Sequence, residues 1–169
     1  MLAGMNVSRT NPDRVLFTQL RARVIEPTLG YLGLPGAEAA VRLLLGTAAQ
    51  ETGLQYLAQF PSGPALGIFQ IEPATHDDIW ENFLKFKPGL AAKVASFAAL
   101  TPSRALQLAS NLAYQTAIAR VSYFRAPDPL PAPDDVDGLG RYWKRFHNTG
   151  AGGGTVAEFV QNFRYYIGD

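Results

Sequence analysis

The sequence predicts an all-α fold in a single domain, and three observations carry that prediction. Apolar residues recur at helical spacing through most of the chain. Helix starts and stops punctuate it, among them Asn11-Pro12, Gly33 and the pair Thr155 and Glu158. Only one short run, Ile68 to Ile71, reads as extended, so the fold has at most a small β element. The chain has 169 residues, an ordinary size for one domain, and 47% of them are hydrophobic against 17% charged. That is enough apolar material for a core.

The elements follow in order. Asn11 suits an N-cap with Pro12 at the first helical position, and a helix from about Asp13 to Tyr31 carries Val15, Leu16, Leu20, Val24 and Ile25. Pro27 is expected to bend it or end it early. Gly30, Gly33, Pro35 and Gly36 punctuate the chain before a second helix from about Ala37 to Thr52, with Val41, Leu44, Leu45, Ala48 and Ala49 on its apolar face. Residues 53–67 read as loop. Thr75, with Asp78 three residues on, predicts a capped short helix through Ile79, Trp80, Phe83 and Leu84. Pro88 begins another helix to about Ala99. Thr101-Pro102 begins a long one to about Phe124. Residues 126–135 hold four prolines and read as an extended strap over the surface. A helix from about Val136 to Phe146 follows, then a glycine loop from Gly150 to Gly154. Thr155 and Glu158 form a capping box for the last helix, to about Ile167. Residues 1–12 are expected to be an N-terminal tail.

Composition excludes several functions. The net charge is +1 and there is no dense basic stripe, so nucleic acid is not the expected partner. There are no cysteines, which removes disulfides and zinc–thiolate sites. His76 and His147 have no metal-ligand spacing, so neither metal nor cofactor is expected. No window reaches the roughly 18 unbroken apolar residues of a membrane span. Residues 1–14 lack the apolar middle of a signal peptide, so the expected product is made in the cytoplasm.

Three short blocks carry the chemistry. Glu51 closes an apolar helical run and is followed at once by Thr52-Gly53. A carboxyl at a helix C-terminus meets the negative end of the dipole, and burial raises its pKa further. Such a group stays protonated near neutral pH and can act as a general acid. A solvated glutamate at a helix end is the plainer alternative. The second block, Gly67-Ile68-Phe69-Gln70-Ile71-Glu72-Pro73, sets a glycine turn before an amide among apolar neighbours, and a buried amide needs partners in the backbone or in a sugar. The third, Phe146-His147-Asn148-Thr149-Gly150, ends a helix in a polar turn that can present His147 and Asn148 to a cleft.

Taken in order, Gln50-Glu51-Thr52, then Gly67 to Thr75, then His147-Asn148-Thr149-Gly150 resembles the lytic transglycosylase and goose-type lysozyme superfamily. Its pattern is Glu-Ser, then Gly-Leu-Met-Gln-Ile-x-Pro-x-Thr, then Tyr-Asn-Ala-Gly. The resemblance spans about residues 38–165 and implies a lysozyme-like domain. It also implies peptidoglycan glycan strands as the partner, cut at the β-1,4 bond between N-acetylmuramic acid and N-acetylglucosamine. In that reading Glu51 is the acid, Gln70 a glycan-binding amide and Asn148 a residue of the cleft wall. His147 and Phe69 stand beside them as further substrate-binding candidates, and Asn111 matches the family's mid-helix asparagine. Transglycosylases use one acid/base and leave a 1,6-anhydro end; goose-type hydrolases use water and an extra carboxylate.

The chain departs from the family pattern at His147, where the family has tyrosine, at Thr52, and at Glu72, where it has an apolar residue. Glu72, Asp77 and Asp78 are candidates for a second carboxylate, which an inverting hydrolase places about 6.5–9.5 Å from the first. Of the aromatic residues, Tyr56 and Phe60 lie between the first two blocks and are the groove candidates for sugar stacking. Most others belong to the core. A wall-cutting domain without a signal peptide is familiar among bacteriophages, as a lysis enzyme or as a virion component alongside other virion proteins. A non-catalytic virion protein on a lysozyme-like fold, and a helical scaffold protein with Glu51 as a surface charge, are the alternatives.

Overall fold

The computed structural model describes residues 11–148 and 152–168. Among these residues the protein is all-α, with no strand. The first helical stretch joins α1 (Pro12–Leu20), a π-helical turn (Arg21–Ile25) and α2 (Glu26–Leu32). Asn11 caps it, its side chain accepting from the Asp13 N–H. Pro27 does not end it early: α2 continues to Leu32. A proline ring collides with the carbonyl four residues back, and the wider π turn sits just where that strain would fall. Gly33, at φ +68°, closes α2 in the left-handed region.

α3 (Ala37–Glu51) is the axis of the fold. From Leu43 to Ala49 every residue is buried. Helices α7 (Leu112–Phe124), α8 (Val136–Trp143) and α9 (Val156–Tyr166) enclose it together with α2. Gly46 lets α9 approach: a Cβ there would lie 2.3 Å from Phe159 Cζ. Thr155 and Glu158 form the expected capping box of α9.

Between these lie α4 (Pro73–Asn82), a 3₁₀ turn (Leu84–Phe86), α5 (Pro88–Ser96) and the short α6 (Gln107–Ser110). Three expectations need correction here. Thr75 does not cap α4. The helix starts two residues earlier at Pro73, from an extended Glu72, and Asp78 bonds Asn82 and Arg125 instead. The long helix expected from Thr101 to Phe124 does not begin until Gln107, and it is broken at Asn111, whose extended backbone and side chain cap α7 at the Tyr114 N–H. Asparagine competes with the helix for its own backbone groups, and here the competition wins. Ile68 to Ile71 is a tight turn rather than an extended run. Leu66 and Ile71 exchange both backbone hydrogen bonds at 3.0 Å across it, and Gln70 sits at φ +48°.

Residues 126–135 form the expected strap, free of helix. Tyr142 pins it by donating to the Asp128 carbonyl at 2.9 Å, and Leu130 packs onto the core. Of the tail expected at residues 1–12, Asn11 and Pro12 instead open α1, and residues 1–10, with Thr149 and Gly150 of the third block, lie outside the described residues. No described helix is long and apolar enough to cross a membrane.

Candidate functional site

The last residue of α3 places Glu51 at the floor of a cleft of about 670 Å³. α3 ends there because Thr52 leaves helical geometry and turns its hydroxyl to other work. Thr52 Oγ1 lies 3.3 Å from the Ala48 carbonyl and 3.2 Å from that of Ile68, and it accepts from Leu54 N–H at 3.1 Å. One side chain thus ties the acid's helix to the glycine turn. Gly67 presses that turn against α6 and α7. A Cβ on Gly67 would lie 2.0 Å from the Leu108 carbonyl and 2.4 Å from Gln115 Oε1, and its φ is +77°. The buried Gln115 then accepts the Ile68 N–H at 2.8 Å.

The cleft brings together residues from all three blocks: Glu51, Gln70, Glu72, His147 and Asn148 all line it. Gln70 holds a left-handed backbone, unfavourable for a residue with a Cβ, while its amide nitrogen donates to the Gly67 carbonyl at 2.8 Å. His147 and Asn148 come from a π-helical turn (Lys144–Asn148) that continues α8. Lys144 fixes the end of that turn, donating to Asn148 Oδ1 at 2.6 Å and to the Gly152 carbonyl at 2.7 Å.

The electrostatics centre on Glu51, whose side chain is 16% exposed. Burial pushes its pKa up to about 7 from an ordinary 4.5, against the opposing effect of a hydrogen bond from Trp143. That bond runs from the indole N–H to Oε1 at 2.8 Å. His147 Nε2 lies 3.6 Å from the same oxygen, too far for a hydrogen bond. Burial lowers the imidazole to about 4, opposed by a backbone contact with Phe69, so the ring is neutral near pH 7. Glu51 is therefore poised between acid and base, and its nearest basic neighbour carries no charge.

Several expected residues stand elsewhere. Phe69 is fully enclosed in the core and presents no face to the cleft; the turn points it inward opposite Gln70. Asn111 is in a different depression, of about 430 Å³, because the helix break makes it a cap there, with its amide also donating to the Phe97 carbonyl at 2.8 Å. Tyr56 is not in the cleft wall; its hydroxyl donates to the Glu51 carbonyl at 2.6 Å and so secures the end of α3. Phe60 is also outside the wall, at 79% exposure. Of the three candidate second carboxylates, Glu72 shares the cleft with Glu51 and the other two do not. Asp77 bonds His76 Nδ1 at 2.8 Å, and Asp78 is paired with Arg125. Among the described residues no group of three His, Cys, Asp or Glu is placed to hold a metal ion.

The chain matches no family model, no curated protein and no solved structure.

The sequence alone did not anticipate Trp143 as the partner of Glu51, nor Ser122, Arg125 and Gln59 as cleft residues. For Trp143 there was a usable signal. It precedes His147 by four residues, so a helix continuing into the third block sets both on one face. The others come from α7 and from the loop before Gly67, and nothing local marks them.

Proposed function

We propose that the protein cuts peptidoglycan glycan strands at the β-1,4 bond between N-acetylmuramic acid and N-acetylglucosamine, with Glu51 as the single acid/base. The observation that carries this reading is a carboxyl held protonated close to neutral pH by burial, at the floor of a cleft with polar walls. The three ordered sequence blocks, which resemble the lytic transglycosylase and goose-type lysozyme superfamily, supply the substrate class. Glu51 gives its proton to the bridging oxygen as the glycosidic bond breaks. The muramic 6-hydroxyl then closes on the anomeric carbon, its proton returns to the carboxylate, and a 1,6-anhydro end results. Gln70 and Asn148 supply polar contacts along the walls.

Glu72 supports a second reading. It is an exposed carboxylate in the same cleft, available to activate water, and hydrolysis would leave a reducing end instead. Purified glycan strands digested by the protein and analysed by mass spectrometry separate the two outcomes. Glu51→Gln is expected to lower turnover by about 10²–10⁴. A Glu51→Gln protein that clears cell-wall suspensions as fast as the parent would refute both readings. Wall binding by the parent with no product released would instead identify a binding protein.

A further inference from the structure

The two oxygens of Glu51 are not equivalent. Oε1 receives the Trp143 indole N–H at 2.8 Å and has His147 Nε2 at 3.6 Å. An oxygen facing an N–H donor is an acceptor, and a proton on that oxygen would point at the donor's hydrogen or take up its remaining lone-pair direction toward His147. At 3.6 Å the imidazole offers no hydrogen bond to hold it there. Trp143 itself cannot turn away. It is fully buried, stacked on Phe159 at 5.4 Å between ring centres, and backed by Gly154, where a Cβ would lie 2.6 Å from the indole.

We propose that Trp143 is a positioning residue that reserves Oε1 of Glu51 as a fixed acceptor, so that the proton used on the substrate leaves from and returns to Oε2. The inference rests on the glycan-cutting reading and adds to it the atom that does the work. Oε2–H protonates the bridging oxygen while the bond from the anomeric carbon to that oxygen breaks, its electron pair going to the oxygen. The 6-hydroxyl oxygen then bonds to the anomeric carbon and its proton goes back to Oε2. One oxygen can serve both steps because two bonds hold the carboxyl in place: Tyr56 secures the backbone of Glu51 and the indole secures Oε1. A freely rotating carboxyl would divide its proton between two oxygens, only one of which meets the glycan.

The charged and titratable groups around Glu51 are few. Tyr123 approaches from α7, Tyr56 from the loop and His147 from the π turn, while Glu72, Arg125 and, behind Asn148, Lys144 border the cleft. None of these groups is hydrogen-bonded to the Glu51 carboxyl among the described residues; Trp143 is. Loss of the indole N–H therefore removes the one group that favours the ionised form through a direct bond.

Trp143→Phe keeps an aromatic ring and deletes the N–H. Turnover is expected to fall by about tenfold, the rate equivalent of one hydrogen bond, with KM unchanged. The basic limb of the pH profile moves to higher pH. ¹³C-detected titration of the Glu51 carboxyl, which needs no activity, moves in the same direction. Because Phe leaves space in a packed core, the second test replaces the indole N–H by sulfur using the benzothienyl analogue of tryptophan. A Trp80→Phe background confines the replacement to position 143, and Trp80→Phe itself is the reference. An unchanged Glu51 titration in both forms overturns the inference. An unshifted pH profile, or a loss confined to KM, in a protein whose Glu51→Gln form is inactive overturns it too, while leaving the glycan-cutting reading intact. If the parent itself cuts no glycan, that reading fails, and the titration still decides whether the indole governs Glu51.

Discussion

At the scale of single residues, Glu51 and His147 exchange roles on folding. The carboxyl is pushed up to about 7 and the imidazole down to about 4, both chiefly by burial. Between pH 4.5 and 6.5 the unfolded chain holds a proton on His147 and none on Glu51, and the folded protein does the reverse. Both burials cost stability there, but their pH dependences cancel, because folding takes up no net proton at these sites. Remove one and the other is exposed. Glu51 alone contributes stability that is fully present below about pH 4.5 and lost as pH rises through about 7, because the folded state must then carry a buried charge. Glu51→Gln deletes that dependence. The stability difference between parent and Glu51→Gln is expected to shift by about 3 kcal/mol in favour of the variant between pH 4.5 and 8. Urea unfolding at both pH values measures it, and an identical difference at the two would contradict the burial that the chemistry needs. For the proposed glycan cutting the same pKa predicts the activity profile: turnover should fall about tenfold per pH unit above pH 7, where Glu51 has lost its proton.

At the scale of elements, the site depends on places where regular structure stops. α3 ends at Glu51, the chain turns sharply at Gly67, α4 begins at Pro73, and α8 widens into a π turn that carries His147 and Asn148. Each break frees side chains to face the cleft instead of a neighbouring helix turn. Gly67 is the tightest of these joints. Gly67→Ala must push against a backbone carbonyl and hold φ +77° with a methyl group, so it should cost at least ~2 kcal/mol. The turn would also move away from Gln115, and Gln70 would leave its place in the cleft wall with it. Thermal unfolding and glycan-cutting rate should both drop; a variant as stable as the parent would show that the turn relaxes freely.

At the scale of the whole molecule, one core holds the acid in place. α9 packs along α3 through Phe159 and Phe163 against Gly46, and Asn162 donates to Gln50 Oε1 at 2.8 Å beside Glu51. Phe159 also stacks on Trp143, so the last helix of the chain supports the indole that holds Glu51. Phe159→Ala is expected to destabilise the protein by about 3–5 kcal/mol. In the fraction still folded it should shift the Glu51 titration, since Trp143 loses its backing; a full loss of stability with Glu51 unmoved would mean the indole is held by its own helix alone.

The helical spacing of Val41, Leu44, Leu45 and Ala48, and the capping pair Thr155 and Glu158, made the all-α architecture legible, because these signals act within a few residues. So did the placing of Glu51 at a helix end and of Gly67 at a turn. The break at Asn111 was not legible: Leu108, Leu112 and Ala119 keep a helical rhythm on both sides, and only packing decided that the Asn111 side chain would cap instead of continue. The inward turn of Phe69, the paired state of Asp78 and the contact of Trp143 with Glu51 were likewise decided at long range, 92 residues of chain separating the last two. The order of acid, glycine turn and late polar turn belonged to the sequence alone. Their convergence on one cleft, the burial that keeps Glu51 protonated and the indole that distinguishes its two oxygens belonged to the tertiary structure, because desolvation and hydrogen-bond geometry are properties of neighbours that only folding brings together.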